Sequence, residues 1–155
     1  MKTVLRFVLL AFLVLINMKP SLAQWVQTAG PSGPFGCSIQ TLTVSGPYLF
    51  AGTYGGAGVF RSTDNGASWT LASNGLTNIY VRDLVVSGAN LYAATYGGVF
   101  CSTDNGTTWN SMGSGLSTVE CLLVDGTTIY AGAQGGVFRS TNNGTSWTAI
   151  NTGLT

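Results

Sequence analysis

One eight-residue string occurs three times, and that return constrains the chain more than any local propensity does. Ser62-Thr63-Asp64-Asn65-Gly66-Ala67-Ser68-Trp69 comes back as Ser102-Thr103-Asp104-Asn105-Gly106-Thr107-Thr108-Trp109. It comes back again as Ser140-Thr141-Asn142-Asn143-Gly144-Thr145-Ser146-Trp147. The tryptophans are 40 and then 38 residues apart. Upstream of each octad lies a glycine-rich element, at Gly55-Gly56, Gly97-Gly98 and Gly135-Gly136. Six residues after each Trp stands a Gly-Leu pair, at Gly75-Leu76, Gly115-Leu116 and Gly153-Leu154. A unit of this length, repeated with such regularity, buries its core against its neighbours rather than within itself.

Each unit divides into four short strands. In the second unit the pattern predicts them over Tyr80 to Val86, Asn90 to Tyr96, Gly98 to Thr103, and Thr107 to Ser111. Between them lie Ser87-Gly88-Ala89, Gly97-Gly98 and Asp104-Asn105-Gly106, which is turn chemistry. The strands are rich in Val, Leu, Tyr, Phe and Thr, and no stretch keeps a helical period. Four antiparallel strands in about 40 residues make the blade of a β-propeller. The expected fold is all-β, a partial propeller with three four-stranded antiparallel blades over residues 37–75, 78–115 and 118–154. Trp25-Val26-Gln27-Thr28, followed by Gly30, repeats the outer-strand pattern of Trp69 to Ala72 and predicts an orphan N-terminal outer strand at 25–28. The last blade already owns an outer strand, and three blades do not close a ring. The chain is therefore expected to be truncated, with at least three further blades encoded downstream, and to aggregate or form ill-defined oligomers in isolation. A dimer of three-bladed halves would carry redundant outer strands.

The octad explains itself as a structural device. Ser62, Asp64, Ser102, Asp104, Ser140 and Asn142 precede an Asn-Gly turn whose backbone amides their side chains can cap. Gly66, Gly106 and Gly144 supply positive φ. Trp69, Trp109 and Trp147 are expected to start the outer strand and to pack back over their own hairpin. Asn142 keeps one side-chain acceptor where the other units have Asp, so its turn should survive.

S-T-D-N-G-x-S/T-W resembles the Asp-box, or bacterial neuraminidase repeat, of sialidase-like, xyloglucanase-like, sortilin-like and photosystem II assembly/stability factor-like propellers. The resemblance covers Trp25 to Thr155. It implies a propeller of six, seven, eight or ten blades and almost nothing about chemistry, because enzymes and non-enzymes share the box. The leader, Gln-Trp-Val-Gln-Thr and the uniform blades are similar to exported proteins of Bacteroidetes-type bacteria.

Charge narrows the function classes. The chain of 155 residues has six Lys and Arg, five Asp and Glu, and no His. From Gln24 onward only Arg61, Arg82 and Arg139 remain, against five carboxylates and without a lysine. That excludes a nucleic-acid partner, histidine acid–base or metal chemistry, and lysine Schiff bases. No cofactor or metal is implied. Lys2 and Arg6, the ten apolar residues Phe7 to Ile16, and Ser21-Leu22-Ala23 read as a cleavable signal peptide over 1–23. Half the length of a membrane span, this run leaves no anchor after cleavage, and the product is expected to be secreted or at the cell surface. Cys37, Cys101 and Cys121 are odd in number and have no C-x-x-C spacing.

Repeat proteins place function where their units differ. In an up-and-down blade the octad turns share one end with Ser45-Gly46, Ser87-Gly88 and Asp125-Gly126. The other end gathers Tyr54, Tyr96 and Gln134 with the inner-strand positions Gln40-Thr41, Arg82-Asp83 and Glu120-Cys121. Tyr54, Tyr96, Arg82, Asp83 and Glu120 are the candidate ligand-facing residues, for a glycan or another protein. Arg82 and Glu120 merely pairing across adjacent blades is the competing view. Three arginines clamping a carboxylate, as in sialidases, would need Arg61 and Arg139, which fall at the opposite end. No catalytic set is assembled here, and the expected function is a non-catalytic binding or scaffold module. A fragment of a sialidase- or xyloglucanase-like hydrolase with catalysis elsewhere, and a self-assembling lectin-like partial propeller, are the alternatives.

Overall fold

Short runs of β-branched and aromatic residues, each cut off by a glycine turn, can only pair locally, and they do so as consecutive hairpins. The computed structural model describes Gly30, residues 38–113 and residues 115–154. The leader at 1–23, the outer strand expected at 25–28, and Cys37 lie outside the described residues.

The first sheet is β1 (Ser38–Ser45), β2 (Tyr48–Tyr54), β3 (Val59–Ser62) and β4 (Thr70–Leu71). The second is β5 (Val81–Ser87), β6 (Asn90–Thr95), β7 (Gly98–Ser102) and β8 (Asn110–Met112). The third is β9 (Val119–Asp125), β10 (Thr128–Ala133), β11 (Gly136–Ser140) and β12 (Thr148–Ala149). Each sheet is antiparallel with its strands in chain order, and no helix occurs among the described residues. Three such blades side by side make an open, partial β-propeller.

Two apolar seams hold the blades together. Phe50, Val59, Ala72 and Leu76 of the first blade meet Val81, Leu84, Leu91, Phe100 and Trp109 of the second. Tyr92, Ala94, Val99 and Cys101 on the other side of the second blade meet Val119, Leu122, Ile129 and Ala131 of the third. The middle blade is thus covered on both faces, and β7 is buried along its whole length. Burial of this kind is the main stabilising term of a stacked repeat.

The outer strands depart from expectation. β8 begins at Asn110 rather than Thr107, because Thr107 and Thr108 are tied into the octad loop by Asp104. Trp109 therefore precedes the strand. Trp69 and Trp147 lie against the glycines of their own octad turns, 3.7 and 3.6 Å from where a Cβ on Gly66 or Gly144 would sit, whereas the hydrogen bonds of Trp109 leave its hairpin. The Trp109 backbone N–H donates to the carbonyl of Asn74 at 2.9 Å and its indole Nε1 to the carbonyl of Ala72 at 2.8 Å, both in the preceding blade.

Candidate functional site

The two ends of the blades are built differently. At one end each octad closes on itself. Ser62 Oγ donates to Asp64 Oδ1 at 2.7 Å and accepts from the Gly66 amide at 2.8 Å. Asp64 then accepts from the Ser68 amide at 2.8 Å and its hydroxyl at 2.6 Å. The second unit repeats the pattern through Ser102, Asp104, Gly106 and Thr108. In the third unit Asn142 Oδ1 takes the Ser140 hydroxyl and Ser146 amide, while its Nδ2 donates to Ser146 Oγ at 2.9 Å. The turn survives the loss of charge because one bond reverses direction. Asn65, Asn105 and Asn143 all have φ between 54 and 56°, and the glycine after each is also positive. Two successive positive φ values mark a type I′ turn, for which Asn-Gly is the preferred pair.

Hydrogen bonds fix the charge of these carboxylates. The hydroxyl and amide of Ser68 hold Asp64 down to about 2, and those of Thr108 do the same for Asp104. Both aspartates are thus committed to the loop.

The opposite end is where the units differ, and it is organised by three bulges. Register shifts occur at Ile39/Thr41, at Val81/Asp83 and between Cys121 and Val119 across from Gly132/Ala133. The residues left over are Gln40, Arg82 and Glu120. A bulge re-aims a side chain out of the alternation of its strand. Arg82 Nε meets Glu120 Oε2 at 2.7 Å, and its Nη1 reaches Gln40 Oε1 at 3.4 Å, so one guanidinium bridges all three blades. Bonding to Glu120 raises the Arg82 pKa above its ordinary value.

Above this bridge stand the tyrosines. The Arg82 guanidinium lies 5.7 Å from the Tyr54 ring centre and 5.9 Å from that of Tyr96, within cation–π range. Tyr54 meets Tyr96 edge-on at 6.0 Å, and Tyr80 stacks against Tyr96 at 6.0 Å and 20°. Interaction with the Tyr54 hydroxyl, and then burial, raise the Tyr96 phenol pKa. Tyr54 and Tyr80 remain 39% and 41% exposed, so the cluster offers aromatic surface to solvent.

Four of the five ligand-facing candidates, Tyr54, Tyr96, Arg82 and Glu120, are brought together. Asp83 is placed beneath them with its oxygens taken. Oδ1 accepts from the Leu84 amide at 2.8 Å and the Thr41 hydroxyl at 3.3 Å, and Oδ2 from the Leu122 amide at 2.9 Å. Its role here is to tie three inner strands. Tyr80 was not singled out by sequence. Its counterparts one unit away are Ser38 and Thr118, so the signal was an aromatic on the variable end without an equivalent. Arg61 lies at the octad end, 5.2 Å from the Tyr48 ring and bonded to the Asn105 carbonyl. Among the described residues no cluster of His, Cys, Asp and Glu gathers as metal ligands.

No curated protein sequence matches the chain. Among solved structures, an ancestral GH74 enzyme is 20% identical with a TM-score of 0.58, over 81% of this chain and 20% of that one. YCF48 bound to a D1 peptide is 15% identical with a TM-score of 0.62, over 84% of this chain and 46% of that one. The computationally designed protein Ika4 is 14% identical with a TM-score of 0.62, over 83% of this chain and 79% of that one. At such identities the likeness concerns the fold alone. The chain spans about a fifth of the GH74 enzyme and under half of YCF48. The model of the DUF6242 beta propeller domain matches residues 19–154, well over half of the chain, and the chain therefore belongs to that β-propeller family.

Proposed function

We propose that this chain is a non-catalytic binding and scaffold module of a larger exported or cell-surface protein. In this reading its octads are Asp-boxes, and its variable rim takes a neutral or weakly polar glycan. The observation that carries it is the exposed Tyr54–Tyr80–Tyr96 cluster seated on the Arg82–Glu120 bridge. Aromatic faces suit sugar rings, and the bridged charges beneath can hydrogen-bond hydroxyls without demanding a charged ligand. Catalysis is disfavoured because an acid–base pair would have to use Glu120 and Asp83. Glu120 is engaged by Arg82, and Asp83 by two amides and a hydroxyl.

A second reading, a piece of a glycoside hydrolase whose catalytic groups lie outside these residues, is favoured by the GH74 structures among the neighbours. A glycan array probed with the protein and with Tyr54→Ala/Tyr96→Ala tests the binding reading. Glycan signals lost in the double variant support it. Signals unchanged in the double variant, or no glycan bound by either, would remove the tyrosines from the function. Turnover of a bound glycan would favour the second reading.

A further inference from the structure

The three bulges place unlike polar side chains at one and the same point of the three units. Gln40, Arg82 and Glu120 are each the residue left over in an inner strand, and those strands lie side by side. Across the blades the order is amide, guanidinium, carboxylate. Arg82 holds the middle, with Nη1 on Gln40 Oε1 and Nε on Glu120 Oε2. One of these bonds crosses the joint between the first two blades, and the other crosses the joint between the second and third.

Neither bond exhausts its groups. A bidentate arginine–carboxylate pair uses two nitrogens and both oxygens. Here a single contact, Nε to Oε2 at 2.7 Å, joins Arg82 to Glu120. Among the described residues, Glu120 Oε1 and Arg82 Nη2 have no hydrogen-bond partner. The bond to Gln40 is long, at 3.4 Å, and a carbonyl oxygen has a second lone pair to offer. The Arg82 and Glu120 side chains are 30% and 45% exposed, so the pair is open to a ligand.

What remains is an ordered set of acceptor, donor and acceptor: Gln40 Oε1, the Arg82 Nη nitrogens and Glu120 Oε1. A hydroxyl can donate one bond and accept others. Two neighbouring hydroxyls satisfy the whole set. Each accepts from the guanidinium between them, while one donates to the carboxylate and the other to the amide oxygen. A lone hydroxyl fills half of it. A carboxylate or phosphate, which brings negative charge, meets Glu120 unfavourably. Cation–π contacts with Tyr54 and Tyr96, at 5.7 and 5.9 Å, steady the guanidinium. The exposed tyrosine surface beside it can take the ring that carries the hydroxyls.

We infer that Gln40, Arg82 and Glu120 read a vicinal diol on a neutral sugar. The inference rests on the glycan reading above, and it adds which atoms of the sugar are recognised and why acidic sugars are refused.

The test is binding of the protein to immobilised, matched neutral polysaccharides: 1,4-linked glucan, mannan, galactan and xylan against their 1,3-linked counterparts. Every residue within a 1,4-linked chain keeps adjacent hydroxyls at carbons 2 and 3. Within a 1,3-linked chain the ring hydroxyls stand apart, at carbons 2 and 4, and chain ends are few in a polymer. The expected result is binding confined to 1,4-linked members. Arg82→Met and Glu120→Met, which keep chain length and remove the polar atoms, each lose about tenfold or more, and Gln40→Met about threefold. Circular dichroism checks the fold of each variant, and the linkage comparison needs the wild type alone. A 1,3-linked member bound as tightly as its 1,4-linked counterpart would overturn the inference. So would unchanged affinity in any of the three variants. If Tyr54→Ala/Tyr96→Ala still abolishes that binding, the glycan reading stands and only the diol falls. The diol also falls alone if no polysaccharide binds while the array yields a tyrosine-dependent glycan. No glycan bound in either assay overturns both.

Discussion

Removing the Trp109 side chain should loosen the first seam more than any other single change at the octads. Trp109 is 3% exposed, packs among Phe50, Val59, Leu76 and Phe100, and carries the indole bond to Ala72. Truncating a buried aromatic to Ala costs about 3–5 kcal/mol, cavity included. Against a total stability of about 5–15 kcal/mol for a domain, that is at least about a fifth of what holds the fold. The midpoint of thermal unfolding should fall by about 10–20 °C. Trp109→Phe keeps most of the bulk but leaves the Ala72 carbonyl buried without its donor, for about 1–3 kcal/mol. Trp69 is only half-buried in the described structure, so Trp69→Ala should cost about 1–2 kcal/mol on area alone. Urea unfolding followed by circular dichroism measures all three, free of the fluorescence change that removing a Trp brings. If Trp109→Ala cost no more than Trp69→Ala, Trp109 would not be an inter-blade fastener.

Three further outcomes follow from the same geometry. The Asp64 and Asp104 carboxyls sit at about 2 against an ordinary 3.8, so their contribution is complete above about pH 4 and is lost as pH falls towards 2. Asp64→Asn/Asp104→Asn, which copies the uncharged third octad, should flatten the acid limb of a stability-versus-pH curve; an unchanged limb would place the acid sensitivity elsewhere. Asp83→Ala strands the Leu122 amide and should destabilise by about 1–3 kcal/mol in urea, with little effect expected if the carboxylate were only a surface group. Gly75→Ala should be among the most damaging glycine changes, because φ is +89° and an added Cβ would run into the Trp109 carbonyl. Gly115→Ala, at the same point of the next unit, meets open space, and equal losses in the two variants would refute the close-approach argument.

What could be read before any coordinates was whatever the repeat states three times. The twelve strands among the described residues, their chain order and the turn positions follow from Asn-Gly, Gly-Gly and the Val/Tyr/Thr runs between them, since each is a local preference confirmed by its copies. The outer strands were misplaced because Ser/Thr at 107 and 108 look like strand residues, while Asp104 spends them on the loop. Where Trp109 packs was not readable either, because the partner carbonyls at Ala72 and Asn74 belong to another unit. The bulges at Gln40, Arg82 and Glu120 leave no mark in the hydrophobic alternation beyond a polar residue, yet they decide that Arg82 reaches across blades. Tyr80 joined the cluster only once strand twist and blade spacing brought it over Tyr96.

In the proposed reading the octad end is structural and the tyrosine end recognises a ligand. Titrating a glycan selected from the array into Asp104→Ala and Tyr80→Ala, each checked for retained fold, tests that division most directly. Asp104→Ala should bind as wild type does, and Tyr80→Ala should lose tenfold or more in affinity. Binding lost in a folded Asp104→Ala and kept in Tyr80→Ala would contradict it.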